Sequence, residues 1–277
     1  MAGILYVVGT PIGNLSDWSP RAKETLEQVD FIAAEDTRVT LKLLNKFEIK
    51  TPMISYHEHN HKMRGEQIIS RLQAGESCAL VTDAGMPAVS DPGEDLVRLA
   101  HENNISVVSV PGPSAVITAL AISGMPSGRF CFEGFLSTNR VSRLEHLNAL
   151  REEPRTMIFY EAPHKLVSTL RDMLSVLGDR EIALCRELTK LHETVTRTTL
   201  SEALADFEVT PPRGEYVLIL AGAAAPEIPP LTLEQAVSLA QDYIKEGLPP
   251  TEAAKKAAKE SGLRKSEIYK GLQAENG

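Results

Sequence analysis

No apolar run in the 277 residues approaches the roughly 20 that a bilayer-crossing helix requires, so a protein without membrane spans is expected. The start, Met1-Ala2-Gly3, leads straight into the strand-like Ile4-Leu5-Tyr6-Val7-Val8 rather than into a basic segment followed by an apolar one, which is the pattern of an export signal. A cytoplasmic location is the expectation. Cysteine is scarce: Cys78, Cys131 and Cys185 are odd in number, far apart and each set in an apolar run, so neither a disulfide framework nor a zinc spacing emerges. Buried thiols in a reducing compartment fit that pattern. Basic charge is in deficit as well, with 29 Lys and Arg against 37 Asp and Glu and a net charge of −8. Indiscriminate binding to nucleic acid rests on cations neutralising phosphates, so that class is excluded and any RNA contact must be local.

What the sequence does contain is enough apolar material, 43% of the chain, to build two or three cores without metals or disulfides. Short β-branched runs alternate with helical periodicity through the first half: Ile4–Val8 then 22–29, Phe31–Ala34 then 41–47, 78–82 then Glu94–Glu102, and 105–110 then 114–122. That alternation marks an α/β domain whose ligand sites lie at the carboxyl ends of parallel strands. The second half repeats it less regularly, with strands predicted at 130–133, 156–160, 182–185, 193–198 and Tyr216–Leu220 and helices at 143–151 and 165–177, which favours hairpins and a mixed sheet. Pro111-Gly112-Pro113 must bend the chain and places a boundary there, giving an N-terminal domain over 1–112 and a second over 113–222. Residues 221–230, rich in Ala and Pro, read as a linker. A small helix-turn-helix-like module follows over 231–277, its helices expected at 233–244, 251–261 and 266–272 with Thr251 and Ser266 as N-caps.

The loops are more informative than the elements. Gly9-Thr10-Pro11-Ile12-Gly13-Asn14-Leu15 follows the first strand and lets backbone approach a ligand, although its spacing matches neither the dinucleotide fingerprint nor a P-loop. Residues 82–93 hold two prolines, two glycines and two aspartates around Asp83-Ala84-Gly85 and Asp91-Pro92-Gly93, so their conformation is dictated locally. Asp91-Pro92 alone reads as a helix start, with proline at the first helical position. Val110-Pro111-Gly112-Pro113-Ser114-Ala115 joins a rigid bend to small residues opening a helix, whose free N–H groups suit a polar ligand. Ala34-Glu35-Asp36-Thr37-Arg38 and Arg186-Glu187-Leu188-Thr189-Lys190 set charges at the carboxyl ends of apolar strands, where either chemistry or a solvated helix cap would put them. Tyr56-His57-Glu58-His59-Asn60-His61 alternates its histidines unlike a zinc-binding His-Glu-x-x-His helix, so no metal is expected and a polar loop beside the site is the reading.

Taken in order, Thr10-Pro11-Ile12-Gly13-Asn14-Leu15, Ala34-Glu35-Asp36-Thr37-Arg38, Asp83-Ala84-Gly85-Met86-Pro87 with Asp91-Pro92-Gly93, Pro111-Gly112-Pro113-Ser114-Ala115, Phe132-Glu133-Gly134-Phe135-Leu136, Arg186-Glu187-Leu188-Thr189-Lys190 and Arg213-Gly214-Glu215 resemble the ribosomal RNA small subunit methyltransferase I family, a branch of the tetrapyrrole methylases. The resemblance covers nearly the whole chain. It implies a two-domain tetrapyrrole-methylase-like (class III methyltransferase) α/β fold, S-adenosyl-L-methionine in the cleft, a homodimer, and methylation of a cytidine 2′-hydroxyl in the decoding region of 16S ribosomal RNA within the small ribosomal subunit. Carried over by position, Pro11, Asp83, Ala84, Gly85, Ala88, Ser114, Ala115 and Tyr160 look like the cofactor set, with main chain holding the methionine and ribose moieties and an apolar wall taking the adenine. Met86 stands where the family more often has threonine, and Lys165 where it more often has arginine, whose forked contact an ammonium cannot reproduce.

A ribose hydroxyl is a poor nucleophile, so a general base is sought; Glu35, Asp36 and Glu187 are the candidates, with Arg38 and Lys190 stabilising the developing oxyanion or gripping a phosphate, and Asp36 and Lys190 preferred. Lys255, Lys256, Lys259, Arg264, Lys265 and Lys270 cluster in the C-terminal helices, where they serve either as a solubilising face or as contacts to RNA phosphates. A tetrapyrrole-type small-molecule methyltransferase would share the cofactor loops, and a non-catalytic RNA-binding assembly protein would share the basic tail.

Overall fold

The computed structural model describes residues 2–58, 60–224 and 231–274; His59, residues 225–230 of the expected linker and residues 275–277 of the helical module lie outside them. The chain divides into two units, residues 1–223 and 224–277.

The larger unit opens with β1 (Ile4–Val8), α1 (Pro20–Gln28), β2 (Phe31–Ala34), α2 (Thr37–Lys46), β3 (Met53–Ser55), α3 (His61–Gln73), β4 (Cys78–Val81), α4 (Glu94–Glu102) and β5 (Ser106–Val110). The five strands form one sheet in the order β3-β2-β4-β1-β5, every pairing parallel. Because successive strand residues point to opposite faces, each central strand feeds two cores. Leu5, Phe31, Ala33, Cys78 and Leu80 pack against Ile68, Leu72 and Leu96 on one face. Val8, Ile32, Ala34, Ala79 and Val81 pack against Leu26 and Leu44 on the other. This two-sided burial explains why β2 and β4 read as unbroken apolar runs without alternation.

After the bend at Pro111-Gly112-Pro113, α5 (Ala115–Ser123) leads into a second sheet built from β6 (Phe130–Phe135), α6 (Arg140–Ala149), β7 (Thr156–Glu161), α7 (Pro163–Leu177), β8 (Glu181–Arg186), β9 (Thr194–Thr199), α8 (Leu200–Val209) and β10 (Tyr216–Leu220). Its order is β6-β7-β10-β8-β9, parallel between β6 and β7 and antiparallel elsewhere, the mixed sheet with a β8–β9 hairpin that the second half suggested. Val116, Ala119 and Leu120 of α5 cover one face of this sheet, against Ile158, Ala183, Val217 and Ile219. The opposite face packs on α6, α7 and α8 through Leu147, Leu166, Leu170 and Leu200. Beneath α6, the buried Asp172 carboxylate accepts from the Arg143 guanidinium at 2.7 and 2.9 Å and from Arg140 at 3.1 and 3.2 Å, so the charges α6 and α7 bury are paired.

Three elements were not anticipated. β3 is three residues long, and α3 carries Gly65, a poor helix former. A Cβ at Gly65 would stand 3.1 Å from Leu99, so the glycine trades helix propensity for a close α3–α4 approach. α8 is capped by the Thr199 hydroxyl, accepting from Glu202 N at 3.3 Å. The helix start at Asp91-Pro92 is corrected: α4 begins at Glu94 behind Gly93, whose φ of 139° ends the loop and leaves the Asp91 side chain free for another role.

The smaller unit consists of α9 (Leu233–Lys245), α10 (Pro250–Ser261) and α11 (Lys265–Ala274) around Ala236, Val237, Ala240, Ala253, Ala257, Ile268 and Leu272. Alanines and Gly271, whose Cβ would meet Val237 at 2.4 Å, let these helices approach closely. Thr232 and Gln235 form a reciprocal capping box at α9. Thr251 and Ser266 do not cap: proline favours the first turn and α10 starts one residue earlier, at Pro250, while α11 starts at Lys265, so both residues lie inside helices. Among the described residues no helix is long and apolar enough to cross a membrane.

A close backbone approach joins the ends of β1 and β5. A Cβ on Gly9 would lie 2.6 Å from Gly112 Cα, and one on Gly112 2.8 Å from Gly9 Cα. Main chain cannot give way as a side-chain tip can, so Gly9→Ala should cost about 1–3 kcal/mol, read as a lower urea midpoint at unchanged slope. An unaltered midpoint would show that the seam is looser than these distances say.

Candidate active site

A cavity of about 470 Å³ opens where the carboxyl ends of the first sheet meet the second, within the size range of small-molecule sites. The first sheet contributes Ile12 after β1 and Ala84, Gly85, Met86, Val89 and Asp91 after β4. Ser114 and Ala115 at the start of α5 form its floor, and Tyr160, Cys185, Leu188 and Tyr216 its far wall.

Main chain holds the loops in place. Thr10 and Gly85 exchange backbone hydrogen bonds of 2.9 and 3.2 Å, and the Thr10 hydroxyl donates to Thr82 O at 3.1 Å. Trp18 Nε1 donates to Gly9 O at 3.1 Å, and Gly112 N donates to the Met86 sulfur at 3.3 Å. Across the cavity, Asn14 N donates to Thr189 Oγ1 at 3.1 Å, and a Cβ on Gly13 would meet Lys190 Cγ at 2.7 Å, so the loop after β1 lies directly on the loop after β8. Four residues on these loops take left-handed backbone without being glycine: Ala88 (φ 64°), Ser90 (65°), Glu187 (51°) and Thr189 (64°). Such strain persists only where the surroundings over-determine it, and it gathers at functional sites.

Of the cofactor residues inferred from sequence, Ala84, Gly85, Ser114, Ala115 and Tyr160 line the cavity; Pro11, Asp83 and Ala88 sit on its loops but outside the lining. Ser114 caps α5 without a side-chain hydrogen bond to the helix, which leaves its hydroxyl and the first-turn N–H groups available. The acid–base candidates fall into two clusters. At the ends of β2 and β4, the Glu35 carboxylate accepts from the Thr82 hydroxyl at 2.5 Å and from Asp83 N at 3.3 Å, and Asp83 accepts from Asp36 N at 3.2 Å. Asp36 itself is clamped by the Arg38 guanidinium at 2.6 to 3.2 Å and by Arg38 N at 2.8 Å. Those bonds hold its pKa well below the usual carboxylate range, which makes Asp36 a weak proton acceptor. In the second cluster Glu187 accepts from Glu215 N at 2.9 Å, which lowers its pKa, and from Lys190 Nζ at 3.1 Å. Burial works against the Lys190 charge, but hydrogen bonds to Glu215 and Glu187 outweigh it and raise the ammonium pKa.

The carboxyl group that sequence reasoning missed is Asp91. Desolvation in the cavity wall, with repulsion from Glu35 and Asp83, pushes its pKa up to about 6, and the Thr82 hydroxyl offsets only part of that. Burial, with the Asp91 charge beside it, pushes the Tyr160 phenol up to about 12. The Asp-Pro pair looked like a helix cap, and only the left-handed turns at Ala88 and Ser90 reveal that the side chain faces inward. Phe135 was quoted as motif but assigned no role, although it too lines the cavity.

The histidine segment is placed beside the site. The Tyr56 hydroxyl donates to Asp95 at 2.5 Å, and His61 Nδ1 pairs with the same carboxylate at the edge of a second, polar cavity that shares Asp91 with the first. His59 lies outside the described residues. Among those residues no group of His, Cys, Asp or Glu is arranged to hold a metal. The three thiols are unbridged, and burial raises their pKa values to between about 11 and about 12.

Comparison with known proteins agrees with this geometry. The family model described as Tetrapyrrole (Corrin/Porphyrin) Methylases matches residues 4–204. A protein of Synechocystis sp. named "Ribosomal RNA small subunit methyltransferase I" is 48% identical over 268 residues, covering 96% of each chain. Its namesake in Pseudomonas aeruginosa is 47% identical over 97% of this chain and 96% of its own. Among solved structures, diphthine synthase superposes with a TM-score of 0.60 at 13% identity, over 79% of this chain and 90% of that one. The uroporphyrin-III-C-methyltransferase of Thermus thermophilus does so with 0.55 at 17% identity, over 78% and 94%. At those identities the likeness shows the fold alone.

The raised pKa of Asp91 has a consequence for stability. Folding disfavours its ionised form, so wild-type protein loses stability as pH rises from about 4, the unfolded value, towards about 6. Asp91→Asn removes that loss. The variant should gain thermal stability relative to wild type at pH 7.5 over pH 4.5, and a difference independent of pH would place the Asp91 pKa at its ordinary value.

Proposed function

The chain belongs to the ribosomal RNA small subunit methyltransferase I family of tetrapyrrole methylases, and from that membership we propose that it transfers methyl from S-adenosylmethionine to the 2′-hydroxyl of a cytidine in 16S ribosomal RNA. The observation that carries the reading is the cavity where the carboxyl ends of the first sheet meet the second, lined by the loops after β1 and β4, by the start of α5 and by apolar side chains.

The residues present fit such a donor. Gly85, at φ 90°, brings the loop after β4 to the cavity without a side chain, Ser114 offers an uncommitted hydroxyl at a helix start, and Ile12, Cys185, Leu188 and Val217 offer an apolar slot for a purine. When bound, a methyl sulfonium supplies an electrophilic carbon that needs little covalent help, so the protein's share of the rate is alignment. Glu35 is hydrogen-bonded to Thr82 and Asp83, and Glu187 to Lys190 and Glu215, so both brace the loops around the reacting groups. Lys190, held between two carboxylates at 2.9 and 3.1 Å, is placed to steady negative charge on the acceptor side.

The partner is the small ribosomal subunit in the cytoplasm. Val108 on β5 and Ile117 and Ile122 on α5 leave apolar side chains exposed that a second copy would cover in a homodimer. The helical module supplies cations: Lys255, Lys256, Lys259, Arg264, Lys265 and Lys270 are all exposed. Seven basic residues against six acidic ones over 231–274 make the module nearly balanced inside an acidic protein, which suits local contact with phosphates.

Calorimetry should detect S-adenosylmethionine binding, and labelled methyl should pass to small subunits from cells lacking the protein, at one cytidine ribose. Binding without transfer to RNA would favour a small-molecule acceptor; no binding at all would favour an assembly protein. Asp36→Asn should keep most of the single-turnover rate, and a loss of roughly 10²-fold or more would restore Asp36 as the base. Removing residues 231–277 should weaken RNA binding and flatten its dependence on salt; unchanged affinity would leave the module a solubilising role.

A further inference from the structure

Helix α2 carries a charge that the rest of the chain does not prepare for. It reads Thr37-Arg38-Val39-Thr40-Leu41-Lys42-Leu43-Leu44-Asn45-Lys46, three cations and no acid. Among the described residues, each other helix that holds a lysine or arginine holds an aspartate or glutamate as well. The protein has 37 acidic residues against 29 basic ones, so an unrelieved basic helix is not what its composition supplies by default.

Arg38, Lys42 and Lys46 follow one another at intervals of four residues and therefore share one side of the helix. All three are exposed, while Thr40 and Leu44 on the opposite side are buried. Leu41 and Asn45, also exposed, flank the row, and the nearest acids in sequence, Asp36 and Glu48, lie beyond the two ends of the helix. Arg38 turns back to Asp36 at 2.6 Å, but among the described residues neither Lys42 nor Lys46 has an ion-pair partner. Helix stability does not account for the row. Like charges four residues apart repel, and the helix dipole favours only Lys46, in the last turn, while it opposes Arg38 in the first.

The row begins beside the cavity. α2 leaves the carboxyl end of β2, and the backbone N–H of its cap residue Asp36 donates to Asp83, the neighbour of cavity-lining Ala84. From Arg38 to Lys46 the helix then rises roughly 12 Å. We propose that this face of α2 is a track for the RNA strand flanking the acceptor nucleotide, with Lys42 and Lys46 each neutralising a phosphate. Phosphate contacts fix register and orientation without reading bases, which a surface beside the cavity can supply. Confining the cations to one row also lets a protein of net charge −8 hold a polyanion in a single place. The track rests on the RNA methylation reading above.

The double variants Lys42→Gln/Lys46→Gln and Lys42→Arg/Lys46→Arg test it, with Lys23→Gln on α1 as control. Binding is measured over a salt series to small subunits from cells lacking the protein and to protein-free 16S RNA. The glutamine variant should bind both roughly tenfold more weakly and lower the slope of log affinity against log salt by about 1 for each lysine. The arginine variant keeps the charge and should keep wild-type affinity and slope. Lys23, already paired with Glu27 at 3.5 Å, should contribute to neither. Equal S-adenosylmethionine affinity in all four proteins by calorimetry would show that the fold is unaltered. An unchanged slope in the glutamine variant of a protein that methylates subunits overturns the track alone. A loss on subunits with none on free RNA also overturns it, because the face then meets a protein. Wild-type protein that binds the donor yet leaves subunits unmethylated fails the function itself, and the track with it.

Discussion

Gly9 and Gly112 pass one another with no room for a side chain between them, and the rest of the site depends on that contact. It brings the end of β1 against the hinge that leads to α5, so the loop after β1 and the start of α5 reach the cavity together. The Thr10–Gly85 bridge then ties the loop after β4 to the same point. Backbone groups in fixed positions can hold a polar ligand without first being ordered, and that saving is available only where glycine permits the approach.

The electrostatics follow from where each carboxyl group is left. Asp36 and Glu187 have been given strong donors and are committed to holding loops and helix ends together. Asp91 and Asp83 have been given neighbours of their own sign and partial burial, so their pKa values move upward instead. Carboxyl groups a short distance apart are thus pushed in opposite directions, a pattern that recurs at functional sites.

Much of this was legible in the chain. The strands β1, β2 and β10 and helix α4 were readable to the residue, because buried parallel strands are short apolar runs and α4 carries a clear amphipathic period. The loops that surround the cavity were readable as an ordered set of motifs. What sequence concealed were features that depend on partners distant in the chain: the three-residue β3, whose pairing with β2 defines it, and α3, whose Gly65 is explained only by Leu99. Asp91 and Phe135 were hidden for a related reason. Local rules made the first a helix cap and ended the predicted strand at 133, before the second, and the structure departs from both through backbone irregularities that have no signature beyond a glycine nearby.

The reading of the cavity stands on S-adenosylmethionine being held there, against the loops after β1 and β4 and the start of α5. A crystal structure with S-adenosylhomocysteine tests this most directly. The account predicts density for the ligand inside this cavity, in contact with Ile12, Ala84, Ser114 and Leu188. Density for the ligand elsewhere, with this cavity empty, would contradict it.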